Sequence, residues 1–93
     1  TVLVYADERF ALHDTGPFHP ERPDRLHAVT DGLVLAGVDD DVERVIARPA
    51  TDEELFRVHP EAFVRGVEAF CRSGRTHLDA DTVVSSASAD LAR

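Results

Sequence analysis

Cysteine occurs once in the 93 residues, as Cys71, and methionine and tryptophan do not occur at all. A single thiol excludes a disulfide framework within the chain and a cysteine-rich zinc site. It points to a reducing, cytoplasmic address. Long apolar runs are missing too. Val2-Leu3-Val4-Tyr5 is too short for a membrane span or a secretory core, and no charged-then-apolar leader precedes a cleavage site. A membrane partner is therefore not expected. Basic residues number 10 against 18 acidic ones, for a net charge of -8. That surface repels phosphate, so nucleic acid is not an expected partner either. No Gly-rich phosphate loop follows either strand and no Gly-x-Ser-x-Gly occurs, which leaves nucleophilic chemistry without a motif. There is no repeat, no low-complexity tract and no linker, so residues 1–93 read as one unit without an internal boundary.

What is present is 43% hydrophobic with dispersed charge, the composition of a folded chain. Residues 2–5 read as a short buried strand. Asp7 to Arg22 has little apolar period and holds Gly16, Pro17 and Pro20, so it reads as a long structureless connection of the kind usually kept for function. A helix is expected from about Pro23 to Ala36, with Leu26, Val29, Leu33 and Ala36 as its apolar stripe and Gly37 as its stop. Val42 to Ala47 reads as a second strand. Thr51 with Glu54 is a capping-box pattern opening a short helix. Pro60 starts another, whose face is Phe63, Val67 and Phe70 flanked by Val64 and Cys71, and Gly74 ends it. After a loop over 76–84, Ser85 or Ser86 is placed to cap a last helix. The order is α/β with a parallel pairing. Two strands make a poor parallel sheet, which leads to the expectation of a segment of a larger domain.

Two polar clusters could carry chemistry. The first runs from His13 through Asp14, Gly16, His19, Pro20, Glu21 and Arg22 to Arg25, stiffened by its prolines. It is either a rigid pocket rim or a Pro-rich helix entry whose acids suit the N-terminal dipole. His13, Asp14 and His19 offer zinc-compatible donors, but their spacing matches no compact ligand motif. His59, at a helix junction, reads as a packed structural histidine. The second cluster, Leu78-Asp79-Ala80-Asp81-Thr82, either meets a cation or caps its own turn.

Taken in order, His13-Asp14-Thr15-Gly16, His19-Pro20-Glu21-Arg22-Pro23-Asp24-Arg25-Leu26, the stretch from Ala50 to His59, Phe63, and Leu78-Asp79-Ala80-Asp81-Thr82 resemble the histone deacetylase and acetylpolyamine amidohydrolase superfamily. The resemblance implies an arginase-like three-layer α/β fold with a central parallel sheet, of which this chain would be the N-terminal part. It implies zinc-dependent hydrolysis of an acetyl amide on a lysine, polyamine or similar amine. In that family two aspartates and a histidine hold zinc, an adjacent histidine pair moves protons and a tyrosine supports the oxyanion. No His-His pair and no Asp-x-His occurs in this sequence, and Tyr5 does not match the oxyanion tyrosine.

The resemblance therefore assigns no catalytic residue and no metal ligand to these residues. Zinc is expected in the longer parent and not in this segment. What carries over is the rim, His19, Pro20 and Asp81 (with Asp79 a competitor for the acid), and Arg25, which matches an arginine lining an internal channel associated with acetate release. The expected partners are the remainder of the same deacetylase domain and an acetylated amine. The other reading left open is a complete small acidic α/β domain that binds a partner or a cationic ligand without catalysis.

Overall fold

The computed structural model describes all residues, 1–93. Strand β1, Val2–Tyr5, pairs in parallel with β2, Val42–Val45, in the register Val2 to Val42 through Tyr5 to Val45. The crossover between them carries helix α1, Asp24–Leu35. Helices α2 (Asp52–Phe56), α3 (Glu61–Arg72) and α4 (Ser88–Leu91) follow. The α/β order and the parallel pairing are those the residue pattern predicts.

The local signals act where the sequence puts them. Gly37 takes φ 71, and its N–H reaches the Val34 carbonyl at 3.0 Å while Val38 N reaches the Leu33 carbonyl at 3.3 Å. Together these two bonds close the α1 terminus as a Schellman motif, which needs a left-handed residue that glycine adopts without a Cβ clash. At α2 both halves of the capping box form. Glu54 N donates to Thr51 Oγ1 at 3.2 Å, and Thr51 N donates to Glu54 Oε2 at 3.0 Å. Removing such a cap costs about 1 kcal/mol.

Several expectations need correction. Asp7 to Arg22 is not structureless: Glu8–Leu12 forms a 3-10 helix, because the Asp7 carboxylate accepts from Arg9 N at 2.9 Å and caps it. β2 stops at Val45 rather than Ala47, and Ile46 is exposed. Neither Ser85 nor Ser86 caps α4. Ala87 holds that position without a side-chain bond, and the Ser85 hydroxyl is used elsewhere. His59 is exposed rather than packed, and its ring lies 5.4 Å from that of Phe63 in a tilted stack.

The core is small. Only five residues are buried, and the largest fully enclosed side chain is Cys71, 1% exposed. On α3 the most enclosed residues are Val64 and Cys71, while Phe63 lies outside. These two were expected only to flank the apolar face. Helix α4 packs against α3. No residue of α1 is buried, and Val29, Val34 and Leu35 face solvent. β1 is not the buried strand expected: Val2, Leu3 and Tyr5 are exposed and only Val4 is half-buried. A cavity of about 610 Å³ between β1 and α1 is lined by Val4, Tyr5, Leu26, Val29 and Leu33.

The shape follows from this. The extents are 43 × 34 × 17 Å and the radius of gyration is 15.4 Å, against about 12 Å for a compact domain of this length. The accessible surface is 6937 Å², where a folded monomer of this mass has about 5,300 Å². A parallel sheet is normally covered on both faces, and here five of its eight residues are exposed.

Candidate functional site

The long first loop and the loop between α3 and α4 meet at one edge of the slab. The meeting is built by His19 and Asp81, 62 positions apart. Glu21 N donates to His19 Nδ1 at 3.0 Å, so Nδ1 carries a lone pair and the neutral ring holds its proton on Nε2. That Nε2 sits 2.8 Å from the Asp81 carbonyl and donates to it. The Asp81 carboxylate lies farther off, at 3.5 Å, and its side chain is 97% exposed, whereas His19 is 19% exposed. Pro20 follows, exposed, on the same rim.

The acidic loop is shaped from inside. Asp79 Oδ1 accepts from Asp81 N at 2.9 Å and from Thr82 N at 2.7 Å. Those backbone donors hold the Asp79 carboxyl below its ordinary value. Leu78 N to Thr82 O and Val84 N to Thr76 O close the loop into a small antiparallel turn. Asp79 is thus spent on its own backbone, while the Asp81 backbone is fixed at both its N–H and its carbonyl and its carboxylate stands free.

A second set of bonds joins the same two loops, through His13, Asp14 and Ser85 of the sequence reading together with Leu12 and Ser88, which it did not single out. Ser85 Oγ donates to Leu12 O at 2.8 Å and accepts from Asp14 N at 3.2 Å. Ser88 Oγ, buried, accepts from Ser85 N at 2.8 Å and lies 2.6 Å from His13 Nδ1. The Ser85 proton goes to Leu12, and Ser88 Oγ also lies 3.2 Å from Ser85 Oγ. The signal was present but ambiguous: a serine three residues from another near a helix start either caps the helix or bonds a neighbouring loop. His13 and Ser88 border a cleft of about 240 Å³ that Phe10, Leu26 and Leu91 also line.

Glu21, part of the first polar cluster, is the junction of the first loop. Its N–H holds His19, its carbonyl accepts from the buried Thr15 hydroxyl, and its carboxylate accepts from Arg25. Arg25 takes no part in the His19–Asp81 contact. It pairs with Glu21 one helical turn back, and its side chain is 57% exposed. The donors His13, Asp14 and His19 are dispersed: His13 goes to Ser88, Asp14 Oδ1 accepts from Gly16 N at 2.9 Å, and His19 goes to Asp81. No three His, Cys, Asp or Glu side chains converge anywhere in the chain.

An ion network ties α2, α3 and Arg93 together. Arg93 donates to Asp52 at 2.7 Å and to Glu68 at 2.5 Å, and Arg65 bridges the same two acids. Beside it Arg48 forks onto Glu54 at 2.6 and 3.0 Å. The Arg48 bonds, with the Thr51 N–H, hold the Glu54 carboxyl at about 2, below its ordinary 4.5. Arg65 and Arg93 lower Asp52 likewise, and Arg93 and Arg65 lower Glu68. A depressed folded pKa gives stability that is present above the unfolded value and lost as pH falls through the folded one. Melting temperature is therefore expected to drop as pH falls from about 4.5 toward about 2. The drop should be smaller at high salt, because the groups are solvated. Glu54→Gln in the natural protein that carries this sequence should flatten part of that acid limb. An unchanged limb would remove the pair from the account.

The histone deacetylase domain family model matches residues 19–93. Histone deacetylase 15 of Arabidopsis thaliana is 36% identical over 98 residues, covering 100% of this chain and 18% of that protein. The probable deacetylase of Archaeoglobus fulgidus is 33% identical over 84 residues, covering 88% of this chain and 23% of that protein. The human polyamine deacetylase HDAC10 is 36% identical over 83 residues, covering 86% and 12%. Among solved structures, the crystal structure of the HDA15 HD domain superposes with a TM-score of 0.82 at 34% identity, over 97% of this chain and 27% of that one. The chain thus spans less than a third of each of these relatives, and its α/β fold is that of the corresponding part of a deacetylase domain.

Proposed function

Because the chain belongs to the histone deacetylase family, we propose that it is the N-terminal portion of a zinc-dependent deacetylase that hydrolyses acetyl amides of lysine, polyamine or a related amine. Its part in that reaction is to shape the substrate entrance. The observation that carries this reading is the free, backbone-held Asp81 carboxylate beside His19 and Pro20, inside the stretch that the family matches. A carboxylate on a fixed stretch of backbone accepts an amide N–H or an ammonium group with a charge-assisted bond, and the loop that carries it loses little order on binding. Asp79 competes poorly for this role because its carboxylate already serves its own loop.

Residues 1–93 do not fit zinc, since no three ligands converge, and no step through a metal is drawn from them. The ligands would come from the remainder of the domain. That remainder is also the partner for the open sheet and α1. The small-domain reading fits less well, because a self-contained domain of this mass would leave about 1,600 Å² less surface in water than this chain does. No helix is long and apolar enough to cross a membrane. A cytoplasmic setting suits the free, buried Cys71.

The test uses the natural protein that carries this sequence, purified and zinc-loaded. It is expected to release acetate from an acetyl-lysine peptide or an acetylated polyamine, with activity lost on chelation. A folded, zinc-loaded protein that releases acetate from neither class would overturn the reading.

A further inference from the structure

We infer that His19 is a positioning residue for the rim acid, a clasp that couples the two entrance loops so that Asp81 meets the substrate amine or amide in one fixed place. The inference rests on the reading of Asp81 as the substrate-facing carboxylate. Its own basis is geometric. The imidazole is bonded at both nitrogens, accepting at Nδ1 from Glu21 N and donating from Nε2 to the Asp81 carbonyl. A ring bonded at both ends has one orientation and one tautomer.

The bond goes to the backbone of Asp81, not to its carboxylate, so the clasp fixes the residue without consuming its charge. The Asp79 side chain holds the Asp81 N–H from the other side. The ring itself is largely enclosed while the carboxylate is open to water. That arrangement suits a group that acts through its neighbour. The first loop is also tied to the 85–88 turn by Ser85 and Ser88. Only His19 reaches as far as the acid, so it decides where the tip of the second loop sits.

Two substitutions separate the halves of the clasp. In His19→Asn the side-chain amide falls where Nδ1 was, so the local bond to Glu21 N can persist while Asp81 is out of reach. In His19→Gln the amide nitrogen falls near the place of Nε2, so the bond to the Asp81 carbonyl can re-form while the local one is lost. One neutral hydrogen bond corresponds to roughly a three- to tenfold change. His19→Asn in the natural, zinc-loaded protein should raise KM for the acetylated amine by roughly that factor, with kcat within about twofold. His19→Gln should recover most of the loss.

Hydrogen exchange at Asp81, Thr82 and Val83 is the readout that does not depend on activity. Exchange there should quicken in His19→Asn and stay near wild type in His19→Gln. Equal KM and equal exchange in wild type and His19→Asn would overturn the clasp. So would equal damage in both variants with a lowered melting temperature, since that marks a purely local role. If the wild type releases no acetate, the deacetylase reading fails, and the exchange arm still decides whether His19 holds the second loop.

Discussion

Produced alone, the 93 residues are expected to release no acetate from an acetyl-lysine peptide or an acetylated polyamine. They are also expected to keep no stoichiometric zinc after chelator washing. The measurement is acetate release against blank, together with metal content, set beside the natural protein under the same conditions. No three metal-binding side chains converge in the chain, and an acetyl amide in water needs an activated nucleophile that the rim residues do not supply.

Folding of the isolated chain should suffer as well. β1 has no neighbour on its free edge, five of the eight strand residues are exposed, and no residue of α1 is buried. An open edge and a broad apolar face lead to pairing with other copies. The surface beyond that of a compact monomer, about 1,600 Å², is about twice what one partner buries in a standard protein interface. A low, concentration-dependent transition or self-association is expected. A sharp, concentration-independent transition of a monomer would instead support a self-contained binding domain, and stoichiometric zinc with turnover above blank would refute the inactivity.

What was legible in the sequence was mostly local. The helix stop at Gly37, the capping box at Thr51 and Glu54, and the start of α3 after Pro60 depend on residues within one turn of each other, and all formed. The rim was legible only in part. Nothing in the spacing of His19 and Asp81 reveals a bond across 62 positions, and the likeness to a family named the residues without their contact. From the sequence, Glu21 is either part of a rigid rim or a dipole-favouring acid at a helix entry. Its use as a junction for Thr15, His19 and Arg25 depends on the path of the loop. The apolar stripe of α1 was found, and yet it buries nothing here. Periodicity reports which face wants cover, not whether the cover lies within the same 93 residues.

In the natural protein, Arg25→Ala is expected to lower turnover by about ten- to a hundredfold while KM changes little, because a charge-assisted contact near the reacting groups is worth about 1.5–3 kcal/mol. The guanidinium keeps its charge at any working pH and offers a fixed fork of donors. In these residues it uses one of them on Glu21, and its side chain remains 57% exposed. The rest of the fork is free for carbonyl or carboxylate groups of the remainder of the domain, the setting that the family likeness gives this arginine beside the acetate path. Arg25→Lys should not restore turnover, since a single ammonium cannot reproduce the fork. The competing account is that Arg25 does no more than close a surface pair with Glu21 along α1, worth a few tenths of a kcal/mol. Glu21→Gln separates the two. It weakens the same pair but leaves the arginine and its free donors in place. A surface pair alone would make the two variants alike, with full turnover and melting shifted by a degree or two at most. Loss of turnover in Arg25→Ala with near-normal turnover in Glu21→Gln would place the arginine's work beyond its own helix. Unchanged turnover and unchanged melting in Arg25→Ala would mean that the channel role is wrong.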